Sequence, residues 1–477
     1  MLAAPASRRL RTGRPDVTID VLQDDVLLEI FDFYRNCVVR FDGMWDWQLL
    51  LHVCRRWRYI VLASPRRLDL QIKCNRSTPA RKLLDIWPPF PIFISCDSWG
   101  EDLENDDILA ALQRRNRISE IDFWCGYWWE MEQFASAIGG PFPVLTHLTV
   151  HVSQTQSLMV ASDSVTEKLP DSFLGGSAPL LESLVLERAP FPALPNLVLS
   201  ASHFLFLHLY HIPHVGYIPP EAMVTFLLPL HNLEGLTIEF TSPKSRPLQM
   251  SPPPSTRALL PSLNHFHFDG ASEYLVDFIA RIDAPMLQRF SMIFFSDIIP
   301  NISELHKFID RTDGIKIFTR AEVHMDHEEV QVIFESPNPG LDIICDSSAS
   351  PLASMVRLLE QLLTIPSQAE QLELHEFGIE EEWQDEVDDS QWLQLLRPFV
   401  SVKSLYVSEG LGPFIASALE ELTEERVADV LPKLDSLFLQ GLGSSEPVEE
   451  TIKSFVSTRQ LSGHPVILRH WVNKRIY

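Results

Sequence analysis

The chain has 477 residues, 45% of them hydrophobic and 22% charged, and 39 Lys and Arg against 64 Asp and Glu leave a formal net charge of −25. That length exceeds one simple core, and the apolar share is that of a folded chain rather than a disordered one. So negative a field excludes a general nucleic-acid binder, whose phosphate contacts need basic surface, and no apolar run approaches the ~18 residues of a membrane span.

The opening "MLAAPASRRLRTGRP" lacks the apolar centre of a secretory signal, so residues 1–16 are expected to form a basic, disordered tail. From Val17 the sequence reads "VTIDVLQDDVLLEIFDFYRNCVV". Asp24 or Asp25 can start a helix by placing a carboxylate at its positive end. Leu27, Ile30, Phe31 and Tyr34 draw one stripe along it, and Val26 and Phe33 draw a second. A helix this short with apolar residues on more than one side needs more than one neighbour. After Gly43, "WDWQLLLHV" and "CRRWRYIVLAS" read as two more helical segments, the last ended by Pro65. Three short helices carry more apolar surface than so small a bundle can hide, which marks a binding face.

"DVLQDDVLLEIFDFY" followed by "WQLLLHVCRRWRYIVLASPRRL" resembles an F-box. Leu22, Asp25, Leu27, Ile30, Phe31, Val53, Cys54, Arg55, Trp57, Ile60, Ser64 and Pro65 fall in register with that motif, and Gln23 replaces its usual proline. The resemblance implies docking onto the Skp-type adaptor of a cullin–RING ubiquitin ligase. The residues it assigns to that contact are Leu22, Val26, Leu27, Ile30, Phe31, Leu50, Leu51, Cys54 and Trp57. The other reading is that these helices only cap a longer domain.

Beyond them a phrase recurs in which an apolar residue, two others, an apolar residue, one other and an apolar residue follow in turn. It reads "ISEIDF" at Ile118, "LTHLTV" at Leu145, "LESLVL" at Leu181, "FLFLHL" at Phe204, "LEGLTI" at Leu233, "LNHFHF" at Leu263, "LQRFSM" at Leu287 and "FTRAEV" at Phe318. Later copies are "AEQLEL", "VKSLYV" and "LDSLFL". From Ile118 to Phe318 the starts fall 23 to 36 residues apart, around the ~20–29 of a leucine-rich repeat. Each phrase is expected to be a short strand, several of them led in by Pro-x-Leu, with helices such as "ASEYLVDFIARI" and "PLASMVRLLEQLL" between. "EEVQVIFESPNPGLDIIC" reads as extra strands around a Pro-Asn-Pro-Gly turn. The layout resembles the fungal type of F-box protein with irregular leucine-rich repeats. The expected fold class is α/β: a three-helix F-box-like module over 17–66, then an irregular leucine-rich-repeat solenoid over 67–477 with an irregular section around 325–368.

With three apolar positions per phrase turned inward, the residues between them line an open sheet. His147, His151, Phe206, His208, Tyr210, His265, His267 and Asp269 are the candidates for holding a target protein. His208, His211 and His214, and His324 and His327 with their acidic neighbours, lack a convincing metal-ligand set, so no metal or other cofactor is expected. The acidic run Glu380 to Asp389 reads as a solvated loop. Six scattered cysteines with no CxxC suit reduced thiols in the cytoplasm or nucleus. There is no GxSxG, Walker-type loop, HExxH or GxGxxG after a strand, so no catalytic residues are assigned. The expected function is a non-enzymatic substrate-recognition adaptor of an SCF-type ligase, with neither nucleic acid nor membrane as partner. The alternative is a repeat scaffold without a ligase.

Overall fold

The computed structural model describes residues 19–37, 46–75, 80–98, 106–126, 128–153, 173–190, 194–247, 252, 254, 256–295, 302–326, 329–336, 338–346, 351–376, 388–422, 427, 429–441 and 446–471. The expected tail at 1–16, most of the acidic run at 380–389 and His327 lie outside these residues.

A proline-led turn precedes many of the strands. Pro179, Pro261, Pro285 and Pro432 each take the second position of a turn in which the first residue's carbonyl accepts an N–H from the fourth. The pairs are Leu181 to Ala178 at 3.1 Å, Leu263 to Leu260 at 3.4 Å, Leu287 to Ala284 at 3.2 Å and Leu434 to Leu431 at 3.0 Å. The ring presets the backbone angle that this position needs. In each case the fourth residue is the first apolar residue of a phrase.

Its three apolar positions then enter the core. Leu145, Leu148 and Val150 are fully buried, as are Leu181 and Leu184, Leu263 and Phe268, and the corresponding residues of all eleven phrases. In chain order the strands run β1 (Ile72–Cys74) and β2 (Ile92–Ser98), which carry no phrase, then β3 (Ile118–Cys125), β4 (His147–Val152), β5 (Ser183–Glu187), β6 (Phe206–Ile212) and β7 (Gly235–Phe240). A two-stranded side sheet pairs β8 (Ala258–Leu259) with β10 (Ile282–Asp283), interleaved with β9 (His265–Gly270) and β11 (Arg289–Phe294) of the main sheet. Then follow β12 (Arg320–Met325), β13 (Glu329–Ser336), β14 (Asn338–Asp346), β15 (Gln371–Glu376), β16 (Ser404–Val407), β17 (Ser436–Gln440) and β18 (Ile467–Trp471). Apart from the side sheet they form one sheet of 16 strands.

Successive repeats are stitched by a backbone chain at the second residue of each phrase. The N–H of Glu182 reaches the carbonyl of Thr146, Leu205 that of Glu182, Glu234 that of Leu205, Asn264 that of Glu234 and Gln288 that of Asn264, all at 2.8–2.9 Å. The chain resumes as Glu370 to Thr319, Lys403 to Glu370 and Asp435 to Lys403. Helices return many of the strands to the start of the next and stack on one another, as Pro220–Leu227 does on Ser272–Ile279. Strand plus helix, repeated in chain order, is a solenoid.

Among the described strands of the main sheet, parallel order breaks at one meander. After β11 the chain passes over two positions, lays down β12, and returns through β13 and β14, so the sheet order is β11-β14-β13-β12-β15. Strand β13 is antiparallel to both neighbours, whereas β14 joins β11 and β12 joins β15 in parallel. Among the described residues no helix separates these three strands, so they join as a meander.

At the other end stand α1 (Asp24–Cys37), α2 (Asp46–Val53) and α3 (Arg55–Ala63). Leu27, Phe31, Leu50, Leu51, Ile60 and Val61 are buried in a core continuous with that of the first strands. Trp47 of α2 meets Trp87 and Phe90 edge-on, with ring centroids 5.5 and 5.9 Å apart. The helices therefore cover the end of the solenoid.

The last repeat encloses Arg459. Its Nη1 donates to the carbonyl of Val427 at 2.9 Å, and its Nη2 to those of Leu431 and Leu434 at 3.2 and 3.5 Å. Burial holds this guanidinium below its ordinary pKa. Replacing it by leucine strands these carbonyls in an apolar setting, so Arg459→Leu should cost about 3 kcal/mol in urea unfolding. A loss under about 0.5 kcal/mol would mean the carbonyls find other donors.

Candidate functional site

Two surfaces stand out, one on the leading helices and one on the sheet face turned away from the core. On α1, Leu27 and Phe31 point inward while Val26, Ile30 and Phe33 are 43%, 40% and 70% exposed. These three follow at i, i+4 and i+7 and share one side of the helix. Val21 before α1, Val53 closing α2 and Tyr59 on α3 are also exposed.

The expected adaptor contacts thus divide. Leu27, Phe31, Leu50 and Leu51 are spent on the chain's own core, which corrects their assignment as surface contacts. Burying a stripe against a neighbour removes it from any partner, and α1 lies on α2 and α3. Leu22 and Trp57 are half-buried, Trp57 with its ring centroid 4.7 Å from that of Phe31. Cys54 is the N-cap of α3, where its Sγ accepts the Trp57 N–H at 3.4 Å. Val26 and Ile30 remain open, and Phe33, Val53 and Tyr59 join them. The doubled apolar stripe on α1 was the signal for Phe33.

The arginines have local tasks. Arg56 pairs with Asp24 at 2.6 Å and donates to the Leu22 carbonyl at 2.5 Å, Arg67 pairs with Glu29, and Arg58 donates to the Leu51 carbonyl at 3.0 Å. They lock α3 to the start of α1 and to α2. Gln23, where the motif has proline, precedes α1, and its carbonyl accepts the Leu27 N–H at 3.1 Å. The helix starts without the proline.

On the open face, parallel register sets side chains in rows. His147, Ser183, Phe206, Gly235, His265 and Arg289 form one, and Thr149, Val185, His208, Thr237 and His267 the next. His147 and His265 are exposed, and the other expected target residues are half-buried. Phe206, His208 and Tyr210 stack along β6, with centroids 6.3 and 5.7 Å apart and planes within 6°. Phe206 leans over Gly235, where an added Cβ would stand 2.7 Å from its ring. His208 Nδ1 lies 2.9 Å from Thr237 Oγ1, and burial lowers its pKa.

Acids and imidazoles alternate between the rows. His151 Nδ1 lies 2.5 Å from Glu187 Oε2, and its ring stacks on Trp124 at 3.8 Å. Trp124 was not among the expected residues, although its alternation within β3 places it there. His267 Nε2 lies 3.2 Å from Glu239 Oε1. His211, with φ +51, approaches Glu187 and Glu239 at 3.6 and 3.9 Å, and His214 Nδ1 meets Ser245 Oγ at 3.2 Å. His208, His211 and His214 therefore do not converge. This surface is acidic, aromatic and imidazole-rich. Burial pushes the thiols of Cys74, Cys125 and Cys345 up to about 12, which leaves them poor nucleophiles at neutral pH. Among the described residues no helix is long and apolar enough to cross a membrane.

Farther along the same face, Glu322 and His324 on β12 and Glu373 and His375 on β15 come together. Expectation had grouped His324 with its sequence neighbours. Its actual partner is 51 residues on, and only strand pairing reveals it.

Asp269 gives the open face a pH dependence. Burial raises its pKa to about 7, aided by Glu239 and Asp346 and opposed by His267. An acid whose folded pKa is raised binds its proton more tightly in the folded chain. Stability therefore falls as pH rises from about 4 to about 7 and is level beyond. Asp269→Asn should remove that slope, gaining about 1–2 kcal/mol on the wild type between pH 4 and pH 8 after solvent screening. Parallel stability–pH curves for the two proteins would count against it.

No protein family matches the chain, and none of the curated proteins does. Among solved structures, it is similar to the leucine-rich repeat-containing protein LegL7 from Legionella pneumophila at 12% identity. That match covers 83% of this chain and 99% of the other at a TM-score of 0.26.

Proposed function

We propose that the chain is a two-ended, non-catalytic adaptor of an SCF-type ubiquitin ligase. The exposed side of α1–α3 docks onto a Skp-type subunit, and the open sheet face captures a target protein. The observation that carries this reading is the row Val26, Ile30 and Phe33, open to solvent on helices whose other side is packed. A cap needs only its inner side to be apolar, so a second apolar side on α1 calls for a partner. The F-box resemblance names that partner. The chain would act by proximity, holding target lysines near the ubiquitin-carrying arm and raising their effective concentration without chemistry of its own.

A second reading, a repeat scaffold with no ligase connection, is favoured by the packing of Trp47 on Trp87 and Phe90. Those contacts support a role for the helices in covering the solenoid.

Pull-down by a purified Skp-type subunit separates the two. Ile30→Asp and Phe33→Asp lie on the exposed side and should each weaken capture about tenfold or more. His265→Ala, on the open sheet face, should leave capture unchanged. No capture of the wild type, or equal capture of all four proteins, would leave the scaffold reading standing.

A further inference from the structure

The one described cluster of mixed imidazole and carboxylate groups with metal-ligand spacing is Glu322, His324 and His375, whose ligand atoms all lie within 4.8 Å of one another. His324 and His375 occupy paired positions on β12 and β15, and their rings stack at 4.8 Å with planes 13° apart. Two residues earlier on each strand stands a glutamate on the same face. His324 Nε2 lies 3.2 Å from Glu322 Oε2, and His375 Nε2 lies 3.2 Å from Glu373 Oε2. A tetrahedral site with bonds of ~2.0–2.1 Å separates its ligands by about 3.3 Å.

The carboxylates are held so that one oxygen of each turns toward the imidazoles. Arg320 Nη2 takes Oε1 of Glu322 at 2.7 Å and Oε1 of Glu373 at 2.6 Å, while its Nη1 reaches Glu335 at 3.2 Å. Gln371 Nε2 donates to the same Oε1 of Glu373 at 2.7 Å. Such partners orient the ligands of metal sites. Glu322, Glu373, His375 and His324 are 1%, 6%, 7% and 9% exposed. Glu322 and Glu373 thus set two nearly dry carboxylates beside two imidazoles, the donor types that a divalent transition metal takes.

We propose that this cluster is a structural site for a divalent transition metal of the zinc class. Glu322, His324 and His375 are its ligands, and Glu373 is the adjoining carboxylate. Imidazole pairs with a carboxylate select that class over magnesium or calcium. The ion would tie the outer strand of the meander to the regular repeats that follow, joining β12 to β15, which are neighbours in the sheet but not in the chain. Trp471 walls the site, its ring edge-on to His375 at 5.6 Å and to Tyr406 at 5.4 Å.

The test takes the full chain, stripped with chelator and titrated with zinc chloride in excess magnesium. One zinc per chain is expected, with a raised thermal midpoint, and His324→Ala and His375→Ala should each weaken binding about tenfold or more. His147→Ala and His265→Ala, on exposed histidines, should not. Titration with cobalt(II) is the readout that needs no ligand replaced: the bound ion should quench Trp471, a loss missing from Trp471→Phe. No zinc held by the wild type overturns the proposal, as does uptake unchanged in folded His324→Ala and His375→Ala. Should those variants fail to fold, quenching identical in the wild type and Trp471→Phe overturns it.

Discussion

A single backbone linkage sets the geometry of the long domain. From Thr146 to Gln288, and again from Glu370 to Asp435, the second residue of each phrase passes its N–H to the carbonyl of the equivalent residue one repeat earlier at 2.8–2.9 Å, whereas Thr319, beside the meander, donates to Glu335 at 3.1 Å. Because the linkage uses main-chain atoms, the side chain there is free to vary: Glu182, Leu205, Glu234 and Asn264 all serve. It tolerates unequal spacing, since only the turn and strand need coincide while the return segment can lengthen. Parallel register across the sheet follows from it, and with that the rows of the open face.

The leading helices show one element under two demands. Leu27, Phe31, Leu50 and Leu51 are buried in a core continuous with that of the first strands, beside which Trp47 meets Trp87 and Phe90. Val26, Ile30 and Phe33 lie on the remaining side of α1. Arg56 and Arg67 hold the arrangement through Asp24 and Glu29. A tight cap therefore also makes a rigid platform, because the inner contacts fix the orientation of the outer ones.

Charge on the sheet face is handled differently along its length. Near β4 to β9, half-buried acids such as Glu187 and Glu239 sit among histidines with solvent at hand. Near β12 to β15 the carboxylates are nearly dry and share Arg320. Aromatic groups close that end: Tyr406 stacks on Phe438 at 4.2 Å, and the Arg469 guanidinium lies 5.6 Å from the Phe438 ring. The same alternation of side chains thus yields an accessible surface at one end and an enclosed polar cluster at the other.

Local spacing made the strands legible. Three apolar residues at fixed offsets behind a proline-led turn declare a buried strand wherever they occur, because burial follows from the residue's own side of the backbone. Strands β1, β2 and β18 escaped, since "IFISCDS" and "ILRHW" lack that offset pattern. Position along a strand likewise placed His151, His208 and His267 on the open face. Tertiary structure alone decided which side of α1 is consumed by the core, because both of its apolar stripes look alike until α2 and α3 take one of them. It alone placed β14 rather than β12 against β11, and it alone brought His375 over His324. Pairing between strands far apart in the chain depends on where the return segments set them down, and no local pattern of residues carries that distance.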